Sequence, residues 1–313
     1  MSAGQIMPEP GGAVVDSSLS DALATGNVVA TLDVSLSNEI VHLLSEQLYT
    51  SPTKAIEELV VNSYDADASE CRIALLFEGT PGVALVSGDD GMADSAGAED
   101  DPVADLAVTR TIDITSKGLI AIYDDGEGMA LAGLGWLWRI GDSPKKDLIA
   151  TDRFGRKTVG KFGIGKLATY AVASRITYLS ASGGIVRYVL CDFRRFGPSS
   201  TGGASEPVKL LVREISNLSD LLQRPDFTEV LDRLGLASSA LIDGTIKSWT
   251  LCLLDNLKPK AQDLKIGRLA WVLRTAMPLK TDFRIFLNGF EQKSSKEDYE
   301  RIVEFKTGDL EEK

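Results

Sequence analysis

The sequence predicts an α+β fold, and three observations carry that reading. Short strand-like and helix-like segments are mixed without the regular βαβ rhythm of a doubly wound parallel sheet. The 313 residues are 44% apolar, enough for a sizeable core, which sets wholesale disorder aside. No apolar run approaches the roughly 18 residues needed to cross a bilayer, so no membrane role is expected. The length suggests about two domains, or one domain with large additions.

Residues 1–31 are rich in Gly, Ser, Ala and Pro and hold no Lys or Arg, which predicts a flexible N-terminal arm; they do not resemble a signal peptide. Leu36, Ile40, Leu43, Leu44 and Leu48 then follow a helical period. Ser51-Pro52 has the form of an N-cap with proline in the first turn, opening a helix to about Ala66. Residues 72–77 read as a strand. Residues 79–109 carry seven acids and no base, the composition of a solvated insertion loop. Strands are expected at 111–115 and 119–123, an apolar segment at 131–140 and a buried helix at 164–174. A hairpin of 176–180 with 185–193 turns at Gly183-Gly184. There follow a strand (208–215), a helix (218–234), a strand (245–254), a helix (264–276), a strand (283–287) and a charged tail (294–313).

Charge is unevenly distributed. Residues 1–110 hold 3 bases against 19 acids, a net of −16, and the rest hold 30 against 26, a net of +4. The pI near 4.7 gives no general nucleic-acid footprint, although the +4 leaves room for a local patch. Cys71, Cys191 and Cys252 are odd in number and lie in or beside apolar runs. They read as buried thiols of a reducing compartment, hence a cytoplasmic protein. His42, the sole histidine, lies beside an apolar helical stripe as a packing or surface residue, and no cluster has zinc-site spacing. Catalysis must then rest on carboxylates, amides, glycines and lysines.

Four segments carry such chemistry. Glu58, Asn62 and Asp65, spaced four and three apart, share one face of the 52–66 helix. A carboxylate there can take a proton from water, and an amide oxygen can ligate a hard cation such as Mg2+. Alone, such a face is usually just solvated. Asp124-Asp125-Gly126-Glu127-Gly128-Met129 ends an apolar strand in an acid and two glycines, which let a ligand lie against the main chain; the bland alternative is an Asp-Gly turn. Gly160-Lys161-Phe162-Gly163-Ile164-Gly165-Lys166 enters a helix N-terminus, where amides and helix dipole favour an anion. Eight bases against three acids surround it between Arg139 and Lys166. It is neither a Walker A sequence nor a strand–GxGxxG–helix fingerprint. Asp243-Gly244-Thr245, by itself a turn, opens a β-rich segment.

In this order and spacing, from about Leu36 to about Leu254, the four segments resemble the signature of the GHKL ATPases: gyrase B, the 90-kDa heat-shock chaperones, histidine kinases and MutL. The resemblance implies the Bergerat ATP-binding fold, a two-layer sandwich of a mixed, mostly antiparallel sheet with helices on one face, plus the start of a second small domain. It implies a flexible arm (1–31), an ATP-binding domain (32–256, with the 79–109 insertion) and a C-terminal extension (257–313) that could begin a transducer or middle domain. Glu58 would be the general base, Asn62 the Mg2+ ligand and Asp65 a polar residue near the nucleotide. Asp124 would recognise the adenine amino group, with Gly126, Gly128 and Met129 shaping the base pocket. Gly160, Lys161, Phe162, Gly163, Ile164, Gly165 and Lys166 would form the ATP lid, Lys145 would be a further phosphate contact, and Thr245 would join the water network at adenine. The cofactors implied are ATP and Mg2+, and the partners are a nucleotide-dependent second copy and an unidentified protein or downstream domain. The lid motif is nearest the chaperone and MORC branches, and the lack of a phosphoacceptor histidine disfavours a kinase. Competing readings are a non-hydrolysing nucleotide-binding scaffold and the ATPase module of a DNA-repair or defence system.

Overall fold

The computed structural model describes residues 27–34, 51–77, 81–83, 108–111, 118–138, 150–160, 168–195, 208–277 and 282–294. The strands are β1 (Asn27–Val34), β2 (Glu70–Leu76), β3 (Pro81–Val83), β4 (Val108–Thr111), β5 (Leu119–Asp124), β6 (Ala173–Ser182), β7 (Ile185–Asp192), β8 (Val208–Glu214), β9 (Trp249–Leu257), β10 (Arg284–Leu287) and β11 (Phe290–Glu291). The helices are α1 (Pro52–Asp65), α2 (Leu131–Trp136), α3 (Ala168–Val172), α4 (Leu218–Leu222), α5 (Pro225–Leu234), α6 (Ser238–Ile242), α7 (Pro259–Gln262) and α8 (Ile266–Ala276).

Nine strands form an open sheet in the order β1-β8-β7-β6-β9-β5-β2-β10-β11, antiparallel throughout except where β10 runs parallel to β2. The α+β architecture is therefore as the sequence predicts. The reason is alternation: Ile73 and Leu75 of β2, Ile120 and Ile122 of β5, and Cys252 and Leu254 of β9 pack with Ile56, Leu59 and Val60 of α1 and with Leu269 and Leu273 of α8. Their neighbours Ala74, Leu76, Leu119, Ala121, Tyr123, Leu251 and Leu253 point the other way, onto Phe227, Val230, Leu231 and Leu234 of α5. Each fully buried Leu or Ile side chain contributes roughly 1.5–3 kcal/mol. Helices thus cover both faces, where a single helical layer is expected from the family resemblance. Leu221 and Leu222 of α4 and Leu241 of α6 extend the second layer.

The local differences from expectation have local causes. Residues 27–31 lie in the edge strand β1, which pairs with β8 on both sides of a bulge between Val28 and Ala30, and not in the expected arm. The helix expected over 218–234 is two helices, since Arg224 before Pro225 is extended (ψ 142°). Within the acidic insertion, β3 and β4 form a two-stranded ladder. Strand β6 begins at Ala173, cutting the expected 164–174 helix down to α3 among the described residues. β9 begins only at Trp249, after α6 and a turn. Gly183 and Gly184, with φ of 61° and 77°, make the two-residue hairpin turn as predicted. The helix expected over 36–48, His42 and the charged tail beyond 294 lie outside the described residues. Among the described residues no helix is long and apolar enough to cross a membrane.

Candidate functional site

Sheet register builds the first half of the site. Asp124, the last residue of β5, lies opposite Cys71 of β2 on one side and Thr250 of β9 on the other, and Thr250 lies opposite Ser180 of β6. Lateral partners in antiparallel ladders share a face, so Cys71, Asp124, Thr250 and Ser180 form one row. The apolar residues two positions further along each strand pack beneath α1. The row is therefore the polar end of the α1-covered face. It is thinly exposed: Asp124 is 8%, Thr250 9% and Ser180 0% accessible.

Helix α1 reaches this row through Ser63. Its hydroxyl shares its proton between the Leu59 carbonyl, 3.1 Å away, and Asp124 Oδ2, also 3.1 Å away. The Gly126 N–H donates to Asp124 Oδ1 at 3.1 Å. Burial pushes the Cys71 thiol well up from its ordinary range, so it is a neutral wall residue. The turn after Asp124 is held close. A side chain at Gly126 would meet the Ala66 carbonyl at 2.6 Å, and one at Gly128 (φ 66°) would meet the Ala181 carbonyl at 2.0 Å. The Met129 N–H donates to Ser180 Oγ at 2.8 Å, and Met129 packs against the main core.

The second half lies beside Ser63 on α1. Asp65, 4% accessible, accepts the N–H groups of Val159 (2.8 Å) and Gly160 (2.7 Å), one on each oxygen. A side chain at Gly160 would lie 2.9 Å from Asp65 Oδ2 and 3.9 Å from Asn62 Oδ1. Asn62 and Glu58 are half-buried on the same face. Burial is the main cause holding the Glu58 carboxyl above its ordinary value; Glu57 and Asp65 push the same way and Lys54 opposes them. That shift moves a carboxylate toward the pH at which it works as a proton acceptor.

A supporting set of residues, not singled out by sequence reasoning, fixes the loop entering Gly160. Asp67, with φ 61°, accepts Thr151 Oγ1 at 2.8 Å and the N–H groups of Arg153 and Phe154. Asp125 accepts the Ser69 (2.7 Å) and Glu70 (2.8 Å) N–H groups and the Ser69 hydroxyl, so it ties β2 rather than facing a ligand. Arg156 is buried against Tyr64, Phe154 and Phe283.

The structure thus sets Gly126 beside Asp124, and Gly128 and Met129 beside Ala181 and Ser180, along the row. It gathers Gly160 with Asn62 and Asp65 of α1, next to Ser63, which bonds Asp124, with Glu58 one turn before Asn62. Thr245 is not brought to this cluster. It is exposed in the turn before β9, its N–H on Asp243 Oδ1 at 2.8 Å, and Thr250 is the threonine opposite Asp124. Lys145, Lys161, Phe162, Gly163, Ile164, Gly165 and Lys166 lie outside the described residues. Among the described residues no three His, Cys, Asp or Glu side chains gather as a metal-binding group. Asn62 could instead offer one amide oxygen to a Mg2+ that otherwise keeps phosphate and water ligands, a donor set that suits this ion.

Among known proteins, the chain is 28% identical over 148 residues to the chaperone protein HtpG of Bordetella pertussis (strain Tohama I). The match covers 47% of this chain and 21% of HtpG, so the chain spans about a fifth of that relative's length. No family model matches the chain. The similarity is distant and partial.

Proposed function

We propose that this chain is a GHKL-type ATPase module. It would bind ATP with Mg2+, hydrolyse it and use the cycle to drive closure and nucleotide-dependent pairing that act on a partner or a following domain. The observation that supports this most is the placement of Asp124: at the end of β5, it is bonded by the Gly126 N–H and by Ser63 Oγ of helix α1, the helix that also carries Asn62 and Asp65, with Asp65 bonded to Gly160. The distant similarity to HtpG supports the same reading.

In this reading Asp124 accepts a hydrogen bond from the exocyclic amine of adenine, and Gly126 and Gly128 let the turn beside it pack directly against the Ala66 and Ala181 carbonyls. Asp65 anchors Val159 and Gly160, the residues that lead into the Lys161–Lys166 segment, to which this reading assigns the phosphate contacts together with Lys145. Bound Mg2+ would supply charge neutralisation at the β- and γ-phosphate oxygens, with Asn62 as its protein ligand. Glu58 takes a proton from water as the water oxygen attacks the γ-phosphorus; the bond from γ-phosphorus to the bridging oxygen breaks and ADP leaves with the electron pair. Such a reaction needs positioning and charge neutralisation more than covalent chemistry.

The test is phosphate release with and without Mg2+, with mass measurement in ATP and in a non-hydrolysable analogue. Release is expected only with Mg2+, and dimer mass with the analogue. Glu58→Ala should bind ATP yet hydrolyse it about 10²–10⁴-fold more slowly, and Asp124→Asn should lose ATP binding in calorimetry. Normal ATP affinity in Asp124→Asn would overturn the proposal; binding without turnover in the native chain would leave a nucleotide-binding scaffold.

A further inference from the structure

Ser180 plays no part in the proposed chemistry, yet every hydrogen-bonding capacity of its buried hydroxyl is committed. A serine hydroxyl offers one donor and two acceptor positions. The Met129 N–H can only donate, and it points at Ser180 Oγ from 2.8 Å. The Trp249 carbonyl can only accept, and it lies 2.9 Å from the same oxygen. Ser180 must therefore give its proton to Trp249. The third contact, 3.1 Å to Thr250 Oγ1, then has one polarity: Thr250 donates and Ser180 accepts.

That polarity matters at the next strand. With its proton committed to Ser180, the Thr250 hydroxyl presents only acceptor lone pairs to anything else. Its lateral neighbour on β5 is Asp124, a carboxylate that when ionised only accepts. From these fixed backbone polarities we infer that Ser180 is a specificity-determining residue: by orienting the Thr250 hydroxyl it makes the Asp124–Thr250 wall an acceptor-only surface, which selects a 6-aminopurine nucleotide over a 6-oxopurine one. An amino group brings donors to this wall, directly or through a water, whereas a 6-oxo group brings an acceptor and leaves buried acceptors facing each other, an arrangement a polar site rejects. The inference rests on the reading of Asp124 as the base-recognition residue.

The experiment compares ATP with ITP, which differ at the 6-position and carry the same triphosphate, by calorimetry on the native chain, Ser180→Ala, Ser180→Thr, Thr250→Val and Asp124→Asn. Circular dichroism and thermal midpoints control for folding. The native chain should prefer ATP. Ser180→Ala frees the Thr250 proton to rotate and donate, so the ATP/ITP affinity ratio should fall about tenfold, the scale of one hydrogen bond. Ser180→Thr keeps the hydroxyl and should keep the ratio. Thr250→Val should lower the ratio as well, and it carries the test if Ser180→Ala does not fold. A native chain that binds both nucleotides equally, or an unchanged ratio in folded Ser180→Ala or Thr250→Val, overturns the inference. Normal ATP affinity in Asp124→Asn overturns the base-recognition reading, and this inference with it. Loss of binding in Asp124→Asn with an unchanged ratio in Ser180→Ala overturns the inference alone.

Discussion

Glu58 is pushed toward its neutral form by its own surroundings, and the consequence for stability has a definite sign. Burial, Glu57 and Asp65 raise its pKa above the ordinary 4.5, so the folded chain holds this proton more tightly than the unfolded one. The stabilisation is fully present below about pH 4.5 and is lost as pH rises through the raised value. Above the raised value the native chain must hold this half-buried carboxylate ionised against the burial that opposes it. Glu58→Gln should therefore raise the thermal midpoint at pH 7–8, with the gain closing below pH 4.5; a midpoint difference independent of pH would refute the electrostatic origin. The residue scale also shows what the sequence makes readable. Glu58, Asn62 and Asp65 are placed by helical spacing alone, and Asp124 by an apolar strand ending in an acid. Thr250 is not, because its role depends on the β5–β9 register; the Gly-Thr pair at 244–245 lies five residues before it. The alternation Leu254, Cys252, Thr250 is the signal that could have found it.

Elements are positioned by short polar clamps more than by their own propensities. The clearest is Asp65, which ends α1 and holds Val159 and Gly160 by two charge-assisted bonds to backbone N–H groups. Removing the carboxylate leaves two amides to find water. Bonds to charged groups contribute about 1.5–3 kcal/mol each, so local opening of this segment should become at least tenfold more frequent in Asp65→Ala. Limited trypsin digestion reads this directly, because Lys157 is exposed and lies two residues before Val159. Cleavage after Lys157 should accelerate by that factor while circular dichroism stays native-like; an unchanged rate would show that other contacts hold the segment. Propensity failed at comparable junctions. Pro225 splits a helix that hydrophobic spacing reads as continuous, and β1 is not legible because the Gly- and Ser-rich stretch before it masks the strand pattern of Val28 to Leu32. The hairpin at Gly183-Gly184 was legible because its turn chemistry is local.

At the scale of the whole molecule, the strand that follows α8 returns to the sheet beside β2, and Arg156 fastens that return. Its guanidinium donates to Asp282 Oδ2 at 2.9 Å, to the Asp282 carbonyl and to the Ala68 carbonyl at 2.6 Å. It also lies 4.2 Å from the Phe154 ring centroid and 5.5 Å from that of Phe283. One side chain therefore joins the end of α1, the loop entering Gly160 and the start of β10, segments far apart in sequence; Arg284, bonded to Glu70 at 3.2 Å, fastens the same junction from outside. Arg156 is 2% exposed at its side chain but Asp282 is 31%, so the two ends of the pair are not equivalent. Removing Arg156 strands the buried Ala68 carbonyl, whereas removing the Asp282 carboxylate leaves the arginine its carbonyl and aromatic partners. Breaking a buried ion pair costs about 3–5 kcal/mol. Arg156→Met should fall near the lower end of that range, because Asp282 keeps partial access to water. Asp282→Asn should cost distinctly less, and the double variant no more than Arg156→Met alone, because the two changes remove the same interaction. Urea unfolding midpoints at constant slope measure all three. If Asp282→Asn proved as costly as Arg156→Met, the charge pair would be what holds the junction; the geometry instead assigns that role to the carbonyls and rings around the guanidinium.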